Sequence, residues 1–400
     1  MLKDLHICDL TPREEIEGRI DRLRDRMAAK GIPFAIVLQN VDLFYFTGTV
    51  QKGVLVVSVD EGPFFFVEKS LYRAQAETPL KIIPIKRDRD VKSILKDKGV
   101  LKGKGGMELD VVPVSVYERW RHILDQESFI DISSAITNLR IIKSPFEIEQ
   151  IKKSGEIVSR VFAKARDVVR EGAREIDIAT ALEGEGRAHG HQGFLRMRGF
   201  NQEMMNIYVT HGHAATYTSG ADVPISGAGV THAIGQGSSI NRVERGVPLL
   251  VDYGGGYNGY ITDETRVVAA GELQEKFVKA YNVARAIIED TLDSGKVGVI
   301  SSDLYNRADE KVKAAGLSEY FMGHGEGQVR FIGHGLGLEI NEFPVFTPRH
   351  HIVLEEGMVF AFEPKFIFPG EGAIGIEVDF IVRKDHLERV TDAPIDIIRV

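Results

Sequence analysis

The sequence has 400 residues, of which 43% are hydrophobic and 27% are charged, a balance typical of a globular protein with roughly two or three domains. Its net charge of −8 leaves no bulk basic surface, so nucleic acid and anionic membranes are not expected partners. The only cysteine, Cys8, excludes an internal disulfide and a cysteine-based zinc site. No apolar run approaches the ~18 residues of a membrane helix. The charged N-terminus lacks the apolar core of a secretory signal, so we expect a cytoplasmic protein.

Residues 1–140 have the pattern of a compact α/β domain. Thr11–Glu14 reads as a capping box with proline at the first helical position, and it predicts a helix that ends at Gly31. A second helix is predicted over residues 114–124. Short apolar runs bounded by turn residues predict three buried strands at Phe34–Leu38, Val54–Val59 and Phe64–Val67. Strands that alternate with helices favour a partly parallel sheet.

A second domain is predicted over residues 141–400. Ser144–Glu147 is another capping box, and the preceding Arg140–Lys143 would connect the two domains. After it the order of elements repeats. Helical patterns precede a hairpin in both halves, with helices at 145–170 and 174–188 before a hairpin at 248–269, and helices at 272–293 and 302–315 before a hairpin at 358–383. This order predicts a pseudo-symmetric domain with helices outside and sheet inside.

Acidic residues occur at matching points of the two hairpins. A turn centred between Tyr257 and Asn258 would set Asp252 directly opposite Asp263. A turn centred on Gly370 would set Glu363 opposite Glu377. Like charges that face each other in apolar strands repel unless a cation lies between them. The hairpins therefore predict two carboxylate pairs with a cationic partner.

His334 lies between the hairpins in the glycine-rich run Gly333–Gly337, which would allow a close approach to the acids. Four carboxylates and one imidazole suit Mn²⁺, Co²⁺, Fe²⁺ or Zn²⁺. This number of acids exceeds the need of a single ion and indicates two ions bridged by carboxylates and a hydroxide. The alternative is that the acids face solvent at strand ends or pair with Arg266 and Arg383.

The segments VDYGGGYNGYITDETR, GHGLGLEINE and FEP…GIEVDF resemble the signature segments of the pita-bread metallopeptidases, the family of Xaa-Pro aminopeptidase, prolidase and creatinase. NVDLFYFTG and LRIIKSPFEI extend the resemblance over nearly the whole chain. It implies a creatinase-like N-terminal α/β domain followed by an α+β pita-bread catalytic domain with a pseudo-twofold repeat, and a homodimer. It also implies that five residues bind two divalent metal ions (Mn, Co, Fe or Zn): Asp252, Asp263, His334, Glu363 and Glu377.

The activity implied by this resemblance is hydrolysis of the amide bond before proline by a metal-bridging hydroxide, with Glu363 as the proton-transferring base. His232 resembles the substrate-side histidine of the family and is a further catalytic candidate. Three positions depart from the family pattern, since Asn341, Arg330 and Gly375 stand where two histidines and an arginine are common. Asn341 is the third catalytic candidate, because its carboxamide can donate a hydrogen bond to a substrate carbonyl although it cannot shuttle a proton.

Two other functions stay open at this point. One is a metal-dependent C–N hydrolase of a small non-peptide amide, and the other is a non-catalytic, peptide-binding member of the fold. A nucleotide site is not expected. Residues 254–259 do satisfy G-x-G-x-x-G, but the β-branched segment after them predicts a strand where a dinucleotide site needs a helix.

Overall fold

The computed structural model describes residues 8–400, in which the chain forms two compact units that divide between Arg140 and Ile141. The first seven residues of the charged N-terminal stretch lie outside this range. None of the helices in the described range is both long and apolar enough to cross a membrane.

The first unit is a mixed sheet with helices. Its helices are α1 (Arg13–Ala29), α2 (Asn40–Thr47), α3 (Leu71–Glu77), α4 (Asp90–Asp97), α5 (Val114–Ile123) and α6 (Ser133–Thr137). Its strands are β1 (Phe34–Val37), β2 (Gly53–Ser58), β3 (Phe64–Val67), β4 (Ile82–Pro84), β5 (Gly106–Met107) and β6 (Ile130–Asp131). The strand order is β4-β3-β2-β1-β5-β6. The β1–β2 and β2–β3 pairs are antiparallel and the remaining pairs are parallel, which confirms the partly parallel sheet.

The start of α1 differs from the prediction. Pro12 is the N-cap residue, with an extended ψ of 151°, and no side chain caps the helix. The capping box predicted at Thr11 is therefore wrong. Because the helix begins at Arg13, Thr11 lies one position too early to act as the cap.

The second unit contains four α-helices and three sheets within the described residues. The helices are α7 (Pro145–Val168), α8 (Glu175–Ala188), α9 (Glu275–Ser294) and α10 (Ser301–Ala315). The strands are β7 (Ile207–His211), β8 (Pro248–Tyr257), β9 (Tyr260–Ala269), β10 (Gly333–Gly335), β11 (Glu342–Val345), β12 (Val359–Phe362), β13 (Lys365–Phe368), β14 (Gly372–Gly375), β15 (Val378–Val382), β16 (Leu387–Arg389) and β17 (Ile398–Arg399). The sheet orders are β17-β9-β8-β7, β11-β10-β12-β15-β16 and β13-β14.

Each half of this unit packs two helices against a hairpin. Ser144 and Glu147 form the predicted capping box at the start of α7, which fixes where the first half begins. The buried side chains of α7 and α8 form one core with β8 and β9, and those of α9 and α10 form another with β12 and β15. The repeat of element order is as predicted, and the two hairpins meet at an antiparallel bridge between Thr265 and Glu377.

Candidate metal centre and active site

The register of the first hairpin differs from the prediction by two residues. The turn is Asn258-Gly259, with φ of 49° and 86°, the backbone of a type I′ turn for which Asn-Gly is favoured. Asp252 therefore pairs with Thr265, and Asp263 pairs with Gly254. The predicted direct pair is wrong. Because side chains alternate with a period of two, the shift leaves both acids on one face as diagonal neighbours.

The second hairpin has the predicted register about Gly370. Phe368 pairs with Gly372 near the turn, and Phe362 pairs with Val378 further along. Glu363 and Glu377 lie at the equivalent level between these two ladders, where the hairpin passes from one sheet to the other. Both side chains are buried.

His334 is on the short strand β10, between the antiparallel neighbours β11 and β12. A Cβ at Gly333 would lie 2.3 Å from the Ala361 carbonyl oxygen, so glycine is required for this close approach. Nδ1 of His334 lies 3.2 Å from the Gly335 carbonyl oxygen, and Nε2 lies 3.8 Å from Oδ2 of Asp263. If Nδ1 carries the proton and donates to this carbonyl, Nε2 has the free lone pair that a metal ligand needs.

All five predicted ligands line one cavity of about 240 Å³ in the second unit. Asp263, His334 and Glu377 each offer a ligand atom within 4.8 Å of the others. Two carboxylates and one imidazole form a donor set that fits one divalent transition-metal ion.

Lys365 also reaches into this cluster, and sequence reasoning missed it. Its ammonium donates hydrogen bonds to Oδ2 of Asp252 at 3.0 Å, Oε2 of Glu363 at 2.9 Å and Oε2 of Glu377 at 2.8 Å. Its side chain is only 3% exposed. The signal was available, because a lysine two residues after Glu363 in an extended segment points to the same side of the chain.

Burial and mutual repulsion disfavour charge on two of the carboxyl groups. Burial, followed by the nearby charges of Glu377 and Asp252, raises the pKa of Asp263 well above its usual value. Burial likewise raises the pKa of Glu377, although the Lys365 ammonium opposes that shift. For Lys365 itself, burial would lower the pKa, but the surrounding carboxylates outweigh it and raise the pKa well above the usual value. The cluster therefore favours cationic partners.

The arginines proposed as alternative partners of these acids are used elsewhere. Arg266 forms an ion pair with Glu264 at 2.8 Å, and Arg383 forms one with Glu388 at 2.6 Å. The alternative in which the acids face solvent also fails for Asp263, which is buried with Glu363 and Glu377.

The remaining site predictions have different outcomes in the structure. Asn341 lines the cavity, but its carboxamide is used by the main chain of Arg198, accepting from its N–H and donating to its carbonyl, both at 2.9 Å. His232 is exposed on a turn and is not among the residues that line this cavity. Arg330 is exposed and lines a neighbouring cavity.

A Cβ at Gly375 would lie 2.7 Å from Cα of Lys365, so the residues possible at one position depend on the other.

Known proteins share both the sequence and the fold. Metallopeptidase family M24 matches residues 149–384, and the creatinase/prolidase N-terminal domain matches residues 19–142. The chain is 27% identical over 378 residues to an Xaa-Pro dipeptidase of Pyrococcus furiosus, covering 94% of this chain and 98% of that protein.

Two solved structures of similar length have the same architecture. An Xaa-Pro dipeptidase from Bacillus anthracis superposes with a TM-score of 0.82 at 26% identity, covering 96% of this chain and 100% of that one. An X-Pro aminopeptidase from Thermotoga maritima superposes with a TM-score of 0.78 at 25% identity, covering 95% and 99%.

The fold and the acidic, histidine-containing site define a metal-dependent hydrolase with the pita-bread architecture. The chain belongs to metallopeptidase family M24. The family, the fold class and the enzyme class expected from the sequence are thereby confirmed.

Proposed function

We propose that this protein is a metal-dependent Xaa-Pro dipeptidase, which hydrolyses the amide bond that precedes a C-terminal proline. The observation that carries this proposal is the convergence of four carboxylates and one imidazole in a single cavity. The full-length similarity to Xaa-Pro dipeptidases supports the substrate class.

Asp263, His334 and Glu377 would hold a divalent ion, with Asp252 and Glu363 completing the proposed ligand set. A divalent ion supplies a Lewis acid that polarises a carbonyl oxygen and makes water acidic enough to be a nucleophile at neutral pH. Manganese and cobalt are the first ions to test, because mixed carboxylate and imidazole donors suit them. The five ligands are sufficient for two ions. The ammonium of Lys365 lies among them and is a further cation that affects how many metal ions the site can hold.

Glu363 is the proposed general base, since its carboxylate lies in the cavity beside the ligand cluster. It would accept a proton from the attacking water and deliver it to the leaving prolyl nitrogen. Tyr208 also lines the cavity, and burial, assisted by the nearby acids and opposed by a hydrogen bond from Met205, raises its pKa to about 12. Its hydroxyl therefore stays protonated near neutral pH and can donate a hydrogen bond to the substrate.

Apolar side chains form part of the remaining cavity wall and would contact the prolyl ring. Phe331, Ile340 and Val345 line the cavity together with Asn341. The main-chain hydrogen bonds of Asn341 to Arg198 hold the segment that contributes Met197 to this wall. The proposed role of Asn341 is thus to position the wall.

The test is a hydrolysis screen of the Mn²⁺- or Co²⁺-loaded protein. The substrates are Xaa-Pro dipeptides, longer Xaa-Pro peptides, Xaa-Ala dipeptides and small acylated amines. Preferential cleavage of Xaa-Pro dipeptides is expected. Preference for longer Xaa-Pro peptides would indicate an aminopeptidase, and cleavage of the acylated amines alone would contradict the proposal.

The other two functions weighed from the sequence are less favoured. Loss of metal ligands would be expected of a non-catalytic member, whereas all five residues of the set are present. The similar proteins of full length are peptidases, which disfavours a non-peptide amide substrate. A homodimer and a cytoplasmic location stay predictions.

A further inference from the structure

The side chain of Lys365 occupies the middle of the carboxylate cluster. The ammonium group has three N–H donors, and each has its own carboxylate acceptor at 2.8–3.0 Å, on Asp252, Glu363 and Glu377. Its side chain is almost completely buried, so these contacts do not compete with bulk water. The arrangement has the geometry of a cation coordinated by three acids.

A metal ion bound to the same three oxygens would compete with this ammonium for space. Ligand oxygens lie about 2.0–2.2 Å from a bound transition-metal ion. Such an ion would lie in the region that Nζ occupies, and its charge would repel the ammonium at close range.

The backbone around Lys365 keeps its side chain in this position. Lys365 pairs with Gly375 across the β13–β14 ladder, and its carbonyl accepts a hydrogen bond from the Met322 N–H at 2.9 Å. Any side chain at position 375 would collide with the lysine side chain as well as the backbone, since a Cβ there would lie 2.7 Å from both Cα and Cγ of Lys365. The glycine at 375 therefore permits the lysine at 365.

The ligand atoms of Asp263, His334 and Glu377 form a second group in the same cavity. Nε2 of His334 lies 3.8 Å from Oδ2 of Asp263, and neither residue is one of the three hydrogen-bond acceptors of Lys365 described above. Oε2 of Glu377 accepts from both Lys365 and Thr265, which leaves its second oxygen for an ion shared with Asp263 and His334. These three residues are the ones whose ligand atoms lie within 4.8 Å of one another.

We propose that Lys365 replaces one of the two metal cations expected for this ligand set, so that the protein binds a single divalent ion at Asp263, His334 and Glu377. Space supports this assignment, because the ammonium already occupies the position between one oxygen each of Asp252, Glu363 and Glu377 where a second ion would bind. This inference refines the metal requirement and rests on the function proposed above.

The test measures metal content and the magnetic state of the ion. Full-length protein is stripped with a chelator, equilibrated with Mn²⁺, freed of unbound metal and analysed by mass spectrometry of the metal and by electron paramagnetic resonance. The wild type is expected to hold about one ion per chain, with the signal of an isolated Mn²⁺ ion, whereas paired ions ~3.5–4 Å apart would couple magnetically.

Lys365→Ala removes the ammonium and is expected to raise the content to about two coupled ions per chain. Lys365→Ser, which also leaves the position of the ammonium empty, is the second variant if the alanine variant does not fold. Lys384→Ala, at an exposed lysine of the same unit, is the matched control and should leave the metal content unchanged.

Two coupled ions in the wild type would overturn the inference, as would a content of one ion in a folded Lys365 variant. Either result leaves the proposed function intact if the wild type cleaves Xaa-Pro dipeptides. Conversely, a wild type that holds one ion but cleaves no Xaa-Pro dipeptide would contradict the function and not the metal count.

Discussion

At the scale of single residues, the site combines acids that favour cations with one cation supplied by the chain itself. Glu363 links the two, since it is the proposed general base of the acidic site and accepts a hydrogen bond from Lys365. The ammonium orients its carboxylate, which a proton-transferring group requires. Removing the charge of Glu363 while keeping its shape therefore isolates its chemical role.

Glu363→Gln should lower kcat for an Xaa-Pro dipeptide by ~10²–10⁴-fold and change KM much less, because the amide cannot accept the proton. Steady-state kinetics at saturating metal provide the measurement. The matched control is Glu371→Gln at an exposed position of the same hairpin. An unchanged kcat would exclude Glu363 as the base.

Asn341→Ala tests whether this residue positions the cavity wall. The change removes two hydrogen bonds to the main chain of Arg198, each worth roughly 0.5–1.5 kcal/mol. We expect KM for Xaa-Pro dipeptides to rise several-fold with a smaller effect on kcat, and the exposed Asn306→Ala serves as the control. A loss confined to kcat would instead indicate contact with the reacting carbonyl.

At the scale of secondary-structure elements, the two hairpins determine which acids meet. Apolar runs and turn residues predicted both hairpins, and the register about Gly370 followed from the turn signal Pro369-Gly370. In the structure Gly370 has a φ of 73°. The first hairpin has several glycines in its turn region, so composition alone did not identify Asn258-Gly259 as the turn. The preference of type I′ turns for Asn-Gly would have given the observed register.

Alanine is expected to have opposite effects on stability at two glycines of α8, because only one of them packs against β8. A Cβ at Gly186 would lie 1.9 Å from the Tyr253 hydroxyl, whereas a Cβ at Gly184 meets nothing within 4 Å. Gly186→Ala should destabilise the protein by ~1–3 kcal/mol through overpacking. Gly184→Ala should stabilise it by up to ~1 kcal/mol, because alanine favours the helix.

Chemical denaturation of the wild type and the two alanine variants under the same conditions gives the free energy of unfolding of each. Equal effects of the two substitutions would mean that α8 does not pack on β8 as described. Since β8 carries Asp252, the Gly186 variant should also lose activity before it unfolds.

At the scale of the whole molecule, the sequence predicted the domain types, the order of elements and the convergence of the acids. Lys365 was missed although its spacing of two residues from Glu363 places both side chains on one side of an extended segment. The hydrogen bonds of Asn341 were not predicted, because they depend on contact between segments that are distant in the sequence. His232 illustrates the same limit, since a glycine-rich loop gives no periodic pattern that would locate its side chain.

Burial of histidines makes the stability of the second unit depend on pH. His191 is buried, with Nε2 3.0 Å from the Gly254 carbonyl oxygen and Nδ1 accepting from the Gly193 N–H, so only the neutral ring fits. Burial, which outweighs the hydrogen bond to Gly254, lowers its pKa below the usual 6.5. The unfolded chain then binds the proton more readily. The stability that His191 contributes is complete above about pH 6.5 and is lost as the pH falls from there through the folded pKa.

His191→Gln should reduce this acid-side loss, because glutamine can donate to Gly254 and accept from Gly193 without binding a proton. Between pH 6.5 and the folded pKa, the slope of the free energy of unfolding against pH should fall by up to ~1.4 kcal/mol per pH unit. Urea unfolding of the wild type and the variant at several pH values measures this slope, and His232→Gln, at an exposed histidine, is the control. A slope unchanged from the wild type would contradict a neutral, buried His191.

The central claim is that the acidic cavity is a metal-dependent site for Xaa-Pro dipeptides. The most direct measurement compares hydrolysis of one Xaa-Pro dipeptide and its Xaa-Ala counterpart by the chelator-stripped protein before and after Mn²⁺ or Co²⁺ is added. The account predicts negligible activity without metal, and restored activity that favours the Xaa-Pro substrate. Cleavage that is indifferent to metal, or a reloaded protein that does not cleave the Xaa-Pro dipeptide, would contradict it.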